Sequence, residues 1–92
     1  MDLSIQQFQQ HISERYEKAD RERGWPKTFA YFIEEVGELA TALADGKDQE
    51  NLQEEFADVF AWLCTLANIS DVNLTEAVTK KYLGEKRPEG HK

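Results

Sequence analysis

The sequence predicts an all-α protein, a bundle of four helices, and three observations carry that prediction. Apolar residues recur at helical spacing along almost the whole chain, with no strand-like alternation of β-branched residues. Residues with helix-starting chemistry, Ser4, Pro26, Asp48 and Asn73, each stand before or within the start of such a stretch. Glycines at positions 24, 46 and 84 close the stretches that precede them.

Each element follows in turn. Ser4 and Gln7 have capping-box spacing, and Ile5, Phe8, Ile12, Tyr16 and Ala19 give the first helix its apolar stripe, which ends near Gly24. Pro26 suits the first turn of a second helix carrying Phe29, Phe32, Ile33, Val36, Leu39, Ala40 and Leu43, stopped by Gly46. Asp48 caps a third helix bearing Leu52, Phe56, Val59, Phe60, Leu63, Leu66 and Ala67. Asn73 with Glu76 opens a short fourth helix closed by Gly84. The brief link at 46–48 makes the second and third helices antiparallel neighbours.

With 92 residues the chain is one domain, 1–92, with an irregular tail from about residue 85. A domain this small buries only about 60–65% of the surface its unfolded chain exposes, so self-association is expected. The open apolar surface is expected on the first and third helices, at positions such as Phe60, Cys64 and Ala67. Net charge is −7 and the basic residues form no long run, which disfavours a nucleic-acid partner. No apolar run approaches a membrane span, and "MDLSIQQFQQ" has neither a basic nor an apolar leader region, so a cytoplasmic protein is expected. The single cysteine, Cys64, has no internal disulfide partner and reads as a small buried hydrophobe.

Two acidic stretches interrupt the helical pattern: "EEVGE" at 34–38 and "EEFAD" at 54–58. At about 100° per residue, Glu35 and Glu38 share one flank of a stripe centred on Val36, while Glu34 turns to the far face. In the third helix Glu55 and Asp58 share a flank, with Trp62 between them in angle. Tyr31 lies on the acidic flank of the second helix. Both pairs lie at similar distances from the turn, so antiparallel packing can bring four carboxylates to one point. Two bare charges 4 Å apart cost about 4 kcal/mol at an effective dielectric of 20, so such a cluster calls for protons or a cation. Oxygen ligands without His or Cys suit Mg²⁺, with Mn²⁺ as a substitute. The alternative is two ordinary solvated helix faces. A di-iron site is excluded because neither His11 nor His91 stands in the required Glu-x-x-His motif.

"EEVGELATAL" followed by "EEFADVFAWL" resembles the MazG-like, all-α nucleoside triphosphate pyrophosphohydrolases, a family that includes dimeric dUTPases and a dCTP pyrophosphatase. Its signature is E-E-x-x-E, a short spacer, then E-x-x-D, and the resemblance spans about residues 20 to 88. It implies Mg²⁺-dependent cleavage of a nucleoside triphosphate to the monophosphate and pyrophosphate. Carried over by position, Glu35, Glu38, Glu55 and Asp58 are the metal ligands, with Glu34 in the less uniform first acidic position. Glu38, with Glu35, is the candidate for orienting or deprotonating the attacking water. Lys81, Lys86 and Arg87 stand where the family places phosphate-contacting basic residues. The tail "KKYLGEKRPEG" departs from the family pattern, with Glu85 near an expected Asn and Pro88 arriving early. Trp25 and Trp62 occupy aromatic positions able to stack on a base. The resemblance further implies a homodimer or a homotetramer. Two other functions share these residues: a helical interaction module with an acidic edge, and a relative that binds nucleotide without hydrolysing it.

Overall fold

A computed structural model describes residues 2–84. It contains α1 (Ile5–Arg23), α2 (Trp25–Asp45), α3 (Gln49–Ile69) and α4 (Leu74–Tyr82), and no strand among the described residues. Lys86 and Arg87 lie outside them.

The helix ends are written in local chemistry. Ser4 Oγ accepts from the Gln7 amide and the Gln7 side chain accepts from the Ser4 amide, a complete capping box. Asp48 accepts from the Asn51 amide and Asn73 from the Glu76 amide. Gly46 ends α2 in the left-handed region at φ 65°. Gly24 is the whole joint between α1 and α2. Its φ of 86° and ψ of 162° suit a residue without a β-carbon, and they let α2 begin at the next residue.

α3 is the central element, packed antiparallel to α2 and also against α1, with α4 resting mainly on α1. Phe8 of α1 stacks on Phe60 of α3 at 5.6 Å between ring centroids. A polar clasp ties α1 to the α3–α4 turn. The Gln9 amide nitrogen donates to Asn68 Oδ1 and to the Val72 carbonyl, its oxygen accepts from the Leu74 amide, and Asn68 donates back to the Gln9 carbonyl. Nearby, Arg21 donates to the Asn68 carbonyl and to Asp71, the residue that turns the chain at φ 58°. Every polar atom of Gln9 that can bond does so, which is why a buried glutamine is tolerated there.

Two expectations about packing are corrected. Ala67 is not open surface, and neither is Cys64, whose reading as a small buried hydrophobe holds instead: with Ile12 and Ala42 they are the buried apolar side chains among the described residues. Nor does Val36 centre the inward face of α2. Thr28 and Ala42 are buried and Tyr31, Phe32, Glu35 and Leu39 half-buried, so that face centres on Glu35. Phe29, Ile33, Val36 and Leu43 form a second stripe, turned about 100° away and exposed. The helix is apolar on more than one side, and angle counting alone chose the wrong stripe.

Candidate metal centre

Glu35 and Glu55 are carried to the interface of α2 and α3 by that rotation. One carboxylate oxygen from each of Glu35, Glu55 and Asp58 lies within 4.8 Å of the others. Glu38, one turn along from Glu35, adds its charge to the surroundings of both Glu35 and Glu55. Glu35 and Glu55 are half-buried, whereas Glu38 and Asp58 stand at the exposed mouth. Glu34 is exposed on another face.

Electrostatics follow from this crowding. Desolvation of the Glu35 carboxyl, then the charge of Glu38 and a hydrogen bond to it, then Asp58 and Glu55, hold its pKa above the ordinary 4.5. Glu55 is raised in the same direction by desolvation, then by Glu38 and Asp58. The Oε2 atoms of both are shielded from solvent and have no hydrogen-bond partner. Buried carboxylate oxygens without a donor are costly and rare, and the cluster is suited to a cation or to protons. All the donors are oxygen, the set preferred by Mg²⁺ and Mn²⁺.

Stability should therefore depend on pH in a defined sense. Between 4.5 and the raised values the native state binds more protons than the unfolded chain, so stability falls as pH rises through that window. Below it the sign reverses. Glu17 is held below 4.5 by hydrogen bonds from Ser13 and then Arg21, and the stability it contributes is lost as pH falls through its lowered pKa. Thermal melts without added divalent cation should show a maximum in mildly acidic buffer. A flat profile from pH 5 to 8 would contradict the crowding.

One turn from the carboxylates, Tyr31 and Trp62 meet edge to face at 5.5 Å. The Arg23 guanidinium lies over both rings, 5.8 Å from Tyr31 and 5.1 Å from Trp62. Its Nε donates to Thr28 Oγ1 at 2.9 Å and an Nη to Asp20 Oδ1 at 2.6 Å. Thr28, fully buried, donates in turn to the Gly24 carbonyl. Sequence reasoning passed over Asp20, Arg23 and Thr28, because an acid and a base near a helix end look like solvated charges. Their proximity to the Gly24 joint was the available signal.

The remaining candidates are not gathered here. Trp25 is 64% exposed and makes no ring contact among the described residues. Lys81 is on α4, its ammonium 5.5 Å from the Tyr82 ring, and α4 leans on α1 rather than on the α2–α3 pair.

An all-α chain that converges acidic side chains from two antiparallel helices has the fold and the donor set of a helical, cation-binding domain. Residues 25–89 match the MazG nucleotide pyrophosphohydrolase domain, and the chain belongs to that family, whose members hydrolyse nucleoside triphosphates. The comparison with curated proteins returned no match. No helix among the described residues is long and apolar enough to cross a membrane.

Proposed function

We propose that the protein is a Mg²⁺-dependent pyrophosphohydrolase that converts a nucleoside triphosphate to its monophosphate and pyrophosphate, in nucleotide-pool housekeeping. The observation that carries this reading is the pair of covered, partnerless oxygens on Glu35 and Glu55 within a cluster of like charges. Glu35, Glu55 and Asp58 would hold the ion, and Mn²⁺ could replace it. Bound Mg²⁺ neutralises phosphate charge and acidifies water. Glu38, exposed one turn from Glu35 and acting on its charge, is our candidate for orienting a water and accepting its proton. Tyr31, Trp62 and Arg23 offer aromatic faces and a cation beside the phosphate end. Family membership supports the reaction class. Trp25, Lys81, Lys86 and Arg87 remain substrate-contact candidates by position in the family motif. The test is pyrophosphate release from a panel of ribo- and deoxyribonucleoside triphosphates with Mg²⁺. Binding without release would favour the non-hydrolysing relative, and neither would favour an interaction module.

A second copy of the chain completes the proposal. The buried apolar side chains among the described residues are few, while Phe29, Ile33, Val36 and Leu43 on α2 and Phe56, Phe60 and Leu63 on α3 stay exposed. A surface of this kind marks an association site. We expect a homodimer or homotetramer, and its setting to be the cytoplasm, where the nucleotide pool lies and a lone thiol stays reduced. Ile33→Glu tests the assembly, because Ile33 is 49% exposed and the change should cost an isolated chain little. Light scattering should show dissociation toward monomer, with a lower melting temperature. An unchanged assembly would remove the α2 stripe from the interface.

A further inference from the structure

We propose that Lys27 is a phosphate-binding residue of the nucleotide site, its ammonium holding the part of the triphosphate that the metal ion does not reach. This rests on the nucleotide reading above and adds a substrate contact to it. The call for a further cation comes from the charge of the site. Glu35, Glu55 and Asp58 converge, Glu38 adds its charge, and the strongest influences on Glu35 and Glu55 besides burial are neighbouring carboxylates. One divalent ion balances only two such charges. A triphosphate brings several more of the same sign, and like charges in a shared site repel. Phosphate oxygens beyond the ion are then held best by a basic side chain that donates to them.

Lys27 is placed to be that side chain. Lys27, Tyr31 and Glu35 follow one another at i, i+4 and i+8 along α2, climbing one face in steps of about 6 Å. The Lys27 Nζ lies 5.9 Å from the centre of the Tyr31 ring, and Tyr31 meets Trp62 of α3 edge to face. The ring face gives the ammonium a resting place on the side of α2 that carries the carboxylates. The Lys27 side chain makes no ion pair or hydrogen bond among the described residues, so its three donors are unused. Arg23, the other cation at these two rings, is already bonded to Asp20 and Thr28. Lys81 stands on α4, which leans on α1.

Helix stability does not account for this lysine. It stands in the first turn of α2, where the helix dipole disfavours a cation, and no acidic residue in that turn offsets it. A residue that goes against local preference with no structural gain is a mark of a functional position.

The experiment uses the full chain with Mg²⁺ and inorganic tripolyphosphate, a probe with the phosphates of a nucleotide and no base. Binding is measured by isothermal titration calorimetry. Lys27→Gln should weaken it by about tenfold, the scale of one charge-assisted hydrogen bond. Lys27→Arg should stay within about threefold of wild type, since the charge and the donors remain. Lys18→Gln removes the same charge from an exposed position on α1, turned about 160° from Asp20, and should change binding by less than about twofold. Lys27 is exposed, so its substitutions should leave the melting temperature in place, and mere packing on Tyr31 would leave tripolyphosphate binding untouched. In pyrophosphate-release assays the loss should appear as a KM raised about tenfold, with kcat within about threefold. Equal tripolyphosphate binding by wild type and Lys27→Gln overturns the assignment. So does an equal loss in Lys18→Gln, which would make the effect one of net charge, and so does a wild type that binds no tripolyphosphate. Hydrolysis of nucleoside triphosphates with Lys27→Gln unimpaired spares the enzyme and overturns the lysine. A tenfold binding loss in a chain that releases no pyrophosphate spares the lysine and overturns the enzyme.

Discussion

Glu35→Gln is expected to abolish turnover while raising the melting temperature of the metal-free protein. The two effects have opposite sign because the same charge serves the cation and adds repulsion among the carboxylates when no cation is bound. Glu35 is desolvated, faces Glu38, Asp58 and Glu55, and holds a shielded oxygen without a donor. A neutral amide removes the repulsion and can itself donate to a neighbouring carboxylate. It is also a poorer ligand for a hard cation. Pyrophosphate release should fall by about 10²–10³-fold or more, the usual scale for deleting a group that stabilises a transition-state charge. Wild-type protein should gain thermal stability in millimolar Mg²⁺, and the variant should gain less. Glu38→Gln should match the activity loss and keep more of the Mg²⁺ response, since Glu38 is assigned the water. A Glu35→Gln variant that melts earlier and turns over normally would refute the cluster as a cation site.

The second large effect belongs to Arg23. Arg23→Ala should destabilise the fold by about 3–5 kcal/mol, the range for removing one partner of a buried ion pair. Its side chain is 20% exposed and that of Asp20 8%, so little water can replace the guanidinium. The loss also strips a donor from buried Thr28 and the cation from over Tyr31 and Trp62. Arg23→Lys should recover part of the stability, because an ammonium can reach Asp20 but cannot bond Thr28 and cover both rings in one plane. Urea denaturation measures both, and a cost below about 1 kcal/mol for the alanine would place the pair with ordinary surface ion pairs.

The parts of this molecule that were legible in advance are those set by near neighbours in the chain. Ser4 with Gln7, Asp48, Gly46 and Asn73 act within three or four residues, and each stands at the helix end its chemistry implies. The acidic pairs were legible for the same reason: i, i+3 spacing and a short turn leave few ways for them to miss each other. What was not legible depends on which of two apolar stripes turns inward. α2 offers one stripe through Phe29, Ile33 and Val36 and another through Phe32 and Leu39, and only contact with α1 and α3 selects between them. Asp20, Arg23 and Gln9 escaped notice because their partners lie across a joint or some sixty residues away.

The single thiol gives the fold a built-in clock. Cys64 has no exposure, and burial pushes its pKa up to about 11, so in the closed molecule it neither meets a reagent nor ionises at neutral pH. Alkylation then proceeds only through moments when the packing around α3 comes apart, and its rate counts those moments. Nucleotide, divalent cation and partner copy can each be ranked by how far they slow that one reaction, on unmodified protein and without a chromophore.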